Sequence, residues 1–292
     1  MGVACGLGAY SIWGAFPVFF GLLRDTGPVE ILAHRVVWTL VLMLIVGAIA
    51  GRLGKLRRLD RRTWLLVCAA STAIAVNWGT YIFAVVSNRV VEAALGYFIN
   101  PLVSVLFGVV LFRERLTKPQ IAALVLAVAA VVVITIGYGH LPYIALVLAL
   151  SFALYGLVKK VVRLDADTSL TAEGLVASPL AIGYLVFLAM TGAGTFFSEG
   201  PGHAALLMAT GPVTALPLLL FAVAAQRVPL STMGMLQYLT PALQMVWGVL
   251  VLQEDMPASR WVGFGLIWIA LAIFTADALA RARRRKAVGT TA

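Results

Sequence analysis

The sequence predicts an all-α integral membrane protein with ten transmembrane helices, arranged as two inverted five-helix repeats. Three observations lead to this fold: the composition is strongly apolar, the basic residues fall in alternate connections, and similar strings recur about 140 residues apart. Of the 292 residues, 62% are hydrophobic and 12% are charged, whereas a soluble domain carries roughly 25% charged residues. So much apolar side chain does not fit one water-soluble core, and we expect a bilayer to be the medium.

Apolar segments long enough to cross a bilayer follow one another along the whole chain. A spanning helix needs about 20 apolar residues, and only helices or closed barrels satisfy their backbone polar groups in lipid. The continuous apolar runs exclude the alternating pattern of barrel strands. We therefore predict helices near residues 3–22, 30–50, 64–86, 91–112, 119–138, 141–159, 170–191, 206–225, 231–252 and 259–280.

The distribution of Lys and Arg predicts the orientation of these helices. The connections after the second, fourth, sixth and eighth helices, together with the C-terminal tail, hold all but four of the 22 basic residues. Short cytoplasmic loops carry such an excess, so we expect both termini in the cytoplasm. The net charge of +10 is then a topology signal, and no nucleic-acid partner is expected.

The fourth and ninth predicted helices carry matching strings. Residues 100–127 resemble residues 240–267, and the matched pairs are Pro101 with Pro241, Gly108 with Gly248, and Glu114 with Glu254. The offset covers five helices, and because five is odd, the two halves lie in opposite orientations. Inverted repeats are typical of alternating-access carriers, with the substrate site between the halves. We predict repeats over 1–139 and 140–280 and a basic cytoplasmic tail over 281–292; the alternative is that shared apolar composition makes two helices alike.

Polar and aromatic side chains recur in the middle of several predicted helices. In lipid such residues usually face the bundle interior or a watery cavity. Pro101 and Pro241 each remove a backbone donor and free a carbonyl, which a neighbour or water must satisfy. We therefore predict kinked helices around a substrate cavity; the alternative for each aromatic residue is helix packing or a belt at the membrane interface. The predicted substrate-binding residues are Trp13, Asn77, Trp78, Tyr81, Tyr97, Asn100, Tyr155, Gln237 and Tyr238. Gly234, Pro241 and Gln244 lie on the same stripe of the ninth predicted helix as Gln237 and Tyr238.

Three ionisable residues, Glu30, His34 and Arg35, begin the second predicted helix in the string EILAHR. Glu30 and His34 are four residues apart, so they share a helix face and can pair. A histidine titrates near physiological pH, and we predict that this pair takes up and releases a proton. Arg35 can hold a substrate carboxylate through a two-pronged contact. The alternative is that these side chains are anchors that snorkel to the outer membrane interface.

Glycines in the predicted helices indicate close helix packing, because small residues let helix backbones approach each other in membranes. We expect this role for Gly2, Gly6, Gly14, Gly21, Gly96, Gly108, Gly234, Gly248, Gly263 and Gly265.

The sequence contains no motif of an enzyme, a metal site or a nucleotide-driven pump. The six Asp residues lie in predicted loops or at helix ends, and Cys5 and Cys68 lack a metal-ligand spacing. No phosphate-binding loop is present. Glu92 and Glu114 lie beside arginines at helix ends, where an interfacial salt bridge of modest strength is expected. We predict no cofactor, no metal and no catalytic residue.

Several strings in the sequence match those of one transporter family. They are AYSIWG (9–14), EILAHRVVW (30–38), EAALGYFINPL (92–102), SFALYGLVKK (151–160) and LSTMGMLQYLTP (230–241). Through them the chain resembles, over nearly its whole length, the RarD-type permeases of the EamA branch of the drug/metabolite transporter superfamily. The resemblance implies two inverted five-helix halves in the bacterial inner membrane, a small-molecule permease activity and a link to chloramphenicol sensitivity. It also adds Glu92 to the candidate site positions.

The first functional hypothesis is a secondary transporter that exports a small amphipathic or amino-acid-like solute in a proton-linked manner. The second is a metabolite importer of the same fold, because nothing in the sequence sets the direction. The third is a membrane scaffold or enzyme without transport, which leaves the inverted repeat unexplained. The expected partners are a small-molecule substrate, a proton and the lipid bilayer; no oligomeric state is predicted.

Overall fold

A computed structural model describes residues 1–112, 116–162, 164–228, 233 and 236–289, and its regular elements in this part of the chain are helices. A short 3-10 helix, Leu53–Arg58, lies between the third and fourth α-helices. The α-helices are α1 (Gly2–Gly14), α2 (Phe16–Gly21), α3 (Pro28–Ile49), α4 (Arg61–Val86), α5 (Val90–Phe112), α6 (Lys118–Tyr138), α7 (Tyr143–Val161), α8 (Ala166–Thr191), α9 (Pro201–Arg227), α10 (Leu239–Leu250) and α11 (Ala258–Gly289).

Within the described residues, nine helical segments are long and apolar enough to cross a membrane, with α1 and α2 together forming the first of them. The all-helical, multi-pass membrane architecture predicted from the sequence is thereby confirmed. The apolar helix α10 has 12 residues and is shorter than these nine. At the start of the ninth predicted helix, residues 231, 232, 234 and 235 lie outside the described residues, and Gly234 is among them; Glu114 and its neighbouring arginines also lie outside.

The first apolar segment is interrupted at Ala15, two residues before Pro17. A proline has no N–H to donate to the carbonyl four residues earlier, which here is that of Trp13. The side chain of Gln244 on α10 donates to this freed carbonyl, with 3.2 Å between Nε2 and the oxygen. The side chain of Thr240 likewise donates to the Tyr10 carbonyl at 2.8 Å. The break in the first segment is therefore stabilised by a helix from the other end of the chain.

Helix packing brings together elements that are distant in sequence. The helix α3 packs against α8 and α9, α5 against α7 and α10, and α6 against α11, while α1 contacts α9 and α10 and α4 contacts α7. One apolar core lies among α5, α6, α10 and α11, and its largest buried side chains include Phe264 and Ile134. A second core surrounds Phe20, Ile82 and Leu148. The second core and a smaller cluster around Tyr10 supply side chains to the wall of the candidate site.

The two ends of the bundle differ in the contacts that close them. At one end, which we call the basic end, the connection 50–60 contacts the start of α8, and Arg52 pairs with Asp167 at 2.7 Å. Lys55 pairs with Asp165 at the same end. At the opposite end, which we call the capped end, glutamate carboxylates accept hydrogen bonds from backbone N–H groups of the connections and helix starts.

The structure separates the predicted packing glycines into two groups. A Cβ atom on Gly96 would lie 2.7 Å from the Ala145 carbonyl oxygen, so α5 and α7 approach as closely as the glycine allows. A Cβ atom on Gly265 or Gly21 would meet no atom within 4 Å, so the prediction of a packing role is wrong for these two. They face open space because the neighbouring helices pack on other sides of α11 and α2.

We expect Gly96→Val to destabilise the protein strongly, since the clash is with backbone that a side-chain rotation cannot relieve. Overpacking of this kind costs typically about 1–3 kcal/mol. Gly265→Val is the matched control, because its helix position is open, and its unfolding midpoint should stay close to that of the unchanged protein. Unfolding in mixed detergent micelles followed by circular dichroism measures both. Equal midpoints for the two variants would contradict the assignment of Gly96 to the α5–α7 contact.

Candidate functional site

A cavity of about 520 Å³ lies among α1, α3, α4, α5, α7, α9 and α10. Its wall is largely aromatic and aliphatic, with a few polar side chains. It reaches the basic end of the bundle, where Leu164 and Ala166 line it. Among the described residues, none of those that line it lies in the connections of the capped end. The sequence-predicted residues that the structure brings together on its wall are Trp13, Arg35, Asn77, Trp78, Tyr81, Tyr97, Asn100, Tyr155 and Gln237, with the predicted kink residues Pro101 and Pro241.

Four predicted site residues, Glu30, His34, Glu92 and Tyr238, are not among the described residues that line this cavity. Tyr238 packs against the apolar core among α5, α6, α10 and α11. Glu30 and His34 are buried near the capped end. Glu30 contacts Thr195, and His34 contacts Phe196 and, on its own helix, Trp38. Conversely, Gln244, Thr214 and Lys159 line the cavity without having been predicted as substrate-binding residues. Gln244 shares the polar stripe of Gln237 and Pro241, which is the signal in the sequence that could have identified it.

Arg35 is buried in the wall of the cavity, with a relative exposure of 2%. Its Nε donates to Thr214 Oγ1 at 2.8 Å, and its guanidinium lies 4.0 Å from the centre of the Trp78 ring. Nη1 is buried without a hydrogen-bond partner among the described residues, and no ion pair found in the described part of the chain includes Arg35. The side chain therefore does not snorkel to an interface, and its charge is left without a countercharge in the wall of the cavity.

Asn77 and Asn100 connect α4 and α5 to α7 through their amide groups. Asn77 Nδ2 donates to the Leu148 carbonyl and to Ser151 Oγ, both at 3.1 Å, and Asn77 Oδ1 accepts from the Tyr97 hydroxyl at 3.2 Å. Asn100 Nδ2 donates to the Ala149 carbonyl at 3.1 Å. These bonds satisfy polar groups inside the bundle, as burial requires, and they hold the Tyr97 ring at the cavity wall.

Tyr81 and Gln244 form a polar patch beside this network. Gln244 Nε2 donates to the Tyr81 hydroxyl at 3.2 Å, in addition to the Trp13 carbonyl. Gln244 Oε1 is buried and has no partner among the described residues. The patch thus presents an uncharged amide oxygen as its free acceptor, near the aromatic rings of Tyr81 and Tyr97, whose centroids are 5.9 Å apart.

Lys159 lines the cavity towards the basic end, and its charge is compensated. Its Nζ lies 2.7 Å from Oε1 of Glu173, a residue with 3% relative exposure, and it also contacts Ser169. Glu173 accepts further hydrogen bonds from Ser169 Oγ at 2.8 Å and from the Tyr155 hydroxyl at 3.1 Å. The carboxylate of Glu173 is therefore occupied by three donors and is not part of the cavity wall.

The expected ion pair between Glu30 and His34 is not formed. Glu30 Oε1 instead accepts from the Thr195 backbone N–H at 2.7 Å. His34 stacks on Phe196, with 4.9 Å between ring centroids, and its Nδ1 accepts from Trp38 Nε1 at 3.3 Å. Helical spacing places the two side chains on one face, but each contacts a residue of a distant connection instead of the other. His34 Nε2 is buried and has no hydrogen-bond partner among the described residues. Both residues consequently hold the same connection, which links α8 to α9.

Glu92 and Glu254 each accept hydrogen bonds from the start of another helix at the capped end. Glu92 Oε1 accepts from the Ile144 N–H at the start of α7, at 3.0 Å, and its other oxygen pairs with Arg89 at 2.5 Å. Glu254 accepts from the N–H groups of Val90 and Val91, at 2.6 and 3.0 Å. The expectation of a salt bridge for Glu92 is confirmed, and its role as a cap on another helix is additional.

Burial raises the pKa of Glu254 from 4.5 to about 7, although the two N–H donors and Arg89 act in the opposite direction. A carboxyl whose pKa is raised on folding contributes stability that is complete below its ordinary pKa and is lost as the pH rises through about 7. We therefore expect the unfolding midpoint to decrease as the pH is raised from about 4.5 to 7. In Glu254→Gln, the unfolding midpoint should depend less on pH over this range. Asp255→Asn, at the exposed neighbouring carboxyl, is the control. The prediction would be contradicted if the unfolding midpoint changed with pH equally steeply in Glu254→Gln and in the unchanged protein.

Comparison with known proteins gives a consistent result over nearly the full chain. The model of the EamA-like transporter family matches residues 1–136 and again residues 142–276. Protein RarD of Streptomyces exfoliatus is 50% identical over 288 residues, which cover 98% of this chain and 91% of that protein. The chloramphenicol-sensitive protein RarD of Pseudomonas aeruginosa is 30% identical, covering 98% and 97% of the two chains. One solved crystal structure, 17% identical, aligns with a TM-score of 0.63 over 96% of this chain and 98% of that chain, and shares its fold.

The apolar helices and the family match together define a multi-pass membrane transporter for a small molecule. The chain belongs to the EamA-like transporter family, which matches most of its length in two successive segments. The family assignment made from the sequence strings is thereby confirmed.

Proposed function

We propose that the protein is a secondary active transporter of the bacterial inner membrane that exports a small amphipathic or amino-acid-like solute in exchange with protons. The observation that carries the proposal is the aromatic cavity with Arg35 in its wall, since a buried cation without a countercharge is expected at a substrate pathway. Nine of the ten predicted substrate-binding residues, all except Tyr238, would then belong to the wall of a transport site. In the proposed orientation, the basic end and both termini face the cytoplasm.

Two inverted five-helix halves support this mechanism. The family model matches each half once. The helix contacts support the same repeat, because the most extensive contacts have equivalents between the two helices that lie five spans away. The α1–α9 contact corresponds to the α7–α4 contact, and the α5–α7 contact corresponds to the α10–α1 contact. This correspondence counts α10 as the ninth of ten spans. Rocking of one half against the other would then alternate the access to the cavity.

The capped end supplies contacts that such a movement would break. Glu30 binds Thr195, Glu92 binds Ile144, and Glu254 binds Val90 and Val91. Each of these contacts joins a residue of the proposed repeat 1–139 to one of the repeat 140–280. With the cavity reaching the basic end, we infer a conformation that is accessible from the cytoplasm and closed towards the outside.

The proton-coupling role proposed for Glu30 and His34 is supported by their shared target. Thr195 binds Glu30 and the adjacent Phe196 stacks on His34. His203, on α9, hydrogen-bonds Thr195 at 3.0 Å and Thr26 at 2.8 Å. Protonation of a histidine at this point would change its contacts with Thr195 or Phe196 in the α8–α9 connection. A proton could in this way weaken the contacts that close the capped end.

Import of a metabolite by the same route is the second candidate, and a membrane scaffold without transport is the third. Handling of chloramphenicol is a further candidate property, supported by the name of the chloramphenicol-sensitive relative from Pseudomonas aeruginosa. The direction of flux in vesicles of known sidedness separates export from import. A scaffold predicts no substrate-dependent flux at all.

The test uses inside-out vesicles that contain the protein, energised to make the lumen acidic, with a pH-sensitive dye in the lumen. A panel of amino acids, organic acids, phenicols and other small metabolites is then added. At least one compound should dissipate the gradient, and His34→Ala or Glu30→Gln should reduce that response at least tenfold. His140→Ala, at an exposed histidine of another connection, is the control. If a labelled substrate still exchanges but no compound moves protons in any variant, transport stands and proton coupling falls.

A further inference from the structure

The charges around the cavity distinguish between the amphipathic and the amino-acid-like substrates of the proposed function, on which this inference rests. We propose that the transported solute is a monocarboxylate with a flat apolar body, bound as an anion without an ammonium group. Its carboxylate would replace the missing countercharge of Arg35, and its body would lie against the aromatic wall.

The charge balance of the wall supports a single negative charge on the ligand. Among the described residues, two cationic side chains line the cavity, Arg35 and Lys159. Lys159 is neutralised by Glu173 at 2.7 Å, so one positive charge remains. A guanidinium offers several N–H donors in a plane and matches a carboxylate well. A monoanion therefore brings the site to neutrality, whereas a dianion would leave one charge without a partner.

An ammonium group would find no carboxylate to neutralise it in the described wall. No Asp or Glu is among the lining residues of the part of the chain that the structure describes, and Glu173 behind it already accepts from three donors. The free acceptor Gln244 Oε1 is an uncharged amide oxygen, which can take a hydroxyl hydrogen but cannot neutralise a cation. The ring of Trp78 is already covered by Arg35 at 4.0 Å. A zwitterionic amino acid would thus leave the site with an excess positive charge.

The aromatic residues of the cavity wall indicate that the solute has an apolar body. Trp13 contacts Tyr10 and Phe221, with ring centroids 5.4 and 5.8 Å apart, in edge and tilted arrangements. Phe152 lies across the cavity beside Tyr155, with 6.1 Å between centroids. Such rings bind a planar apolar group by offset and edge-to-face contacts. These surfaces lie on the side of the cavity that leads from Arg35 towards the basic end.

Four compounds that share one body and differ in charge test the proposal: 3-phenylpropanoate, its neutral amide, 3-phenylpropylamine and phenylalanine. Binding to the purified protein is followed by tryptophan fluorescence, since Trp13 and Trp78 line the cavity, and transport by counterflow in proteoliposomes. We expect the acid to bind at least tenfold more tightly than the amide and phenylalanine, and the amine to bind least. Arg35→Gln should remove the preference for the acid over the amide, and Arg35→Lys should retain it.

Equal or tighter binding of phenylalanine or the amine would overturn the inference, as would a preference for the acid that survives in Arg35→Gln. The ligand series in the unchanged protein decides the matter even if a variant does not fold. If phenylalanine or the amine exchanges while the acid does not, the proposed transport stands and the substrate class falls. If none of the four compounds and none of the wider panel exchanges, both proposals fall.

Discussion

Gly156→Trp is expected to stop transport while leaving the fold intact. Gly156 lines the cavity on α7, and a Cβ atom there would meet no atom within 4 Å. An indole at this position would occupy the space that the substrate needs, without a clash with the backbone. Replacing glycine inside a helix also improves helix propensity, by up to about 1 kcal/mol. We expect flux to fall at least tenfold with an unfolding midpoint close to that of the unchanged protein.

Gly183→Trp is the matched control for this experiment. Gly183 also lies within a long helix, α8, it is exposed, and a Cβ atom there likewise meets nothing within 4 Å. It does not line the cavity, so full flux is expected. Normal flux in Gly156→Trp, at normal membrane levels, would show that the solute does not pass through this cavity.

Arg35→Met is expected to abolish transport without lowering stability. A buried charge without a partner costs free energy, so its replacement by an apolar side chain of similar length removes that cost. The loss of the Thr214 hydrogen bond and of the Trp78 contact acts in the other direction, by about 1 kcal/mol each. We therefore expect flux to fall at least tenfold while the unfolding midpoint is unchanged or higher.

Arg24→Met provides the comparison for Arg35→Met. Arg24 is exposed, and its Nε donates to the Gly21 carbonyl only three residues away. Flux and unfolding midpoint should both remain near their original values in this variant. A large loss of stability in Arg35→Met would instead assign Arg35 to the structure of the bundle, and the substrate contact would have to be sought elsewhere.

The helices could be predicted from the sequence because each one is decided by its own composition. In lipid a backbone must satisfy its polar groups within the segment, so a long apolar run becomes a helix regardless of its neighbours. The predicted segment 64–86 corresponds to α4 (Arg61–Val86), and 119–138 to α6 (Lys118–Tyr138). The boundaries were less predictable: α9 begins at Pro201 rather than near residue 206, and α11 continues to Gly289.

Contacts between distant segments were not predictable in the same way. Glu30 and His34 have the spacing of a pair, yet Thr195 and Phe196 are their partners in the structure. The carbonyl freed by Pro17 could be inferred, but not that Gln244 would satisfy it. Gly265 and Gly96 both lie within apolar helical segments, so the sequence does not distinguish them. They differ in their neighbours, because Gly96 faces the backbone of Ala145 and Gly265 faces open space.

The sequence by itself determined the membrane class, the family and the polar and aromatic stripes, because these depend on composition and on spacing along single helices. Only the tertiary structure decided that nine of the predicted substrate-binding residues line one cavity and that Tyr238 does not. It also decided that Lys159 pairs with Glu173, whereas Arg35 pairs with no carboxylate among the described residues. The physical reason is that charge balance and burial depend on which helices face one another, and this is set by packing over the whole bundle.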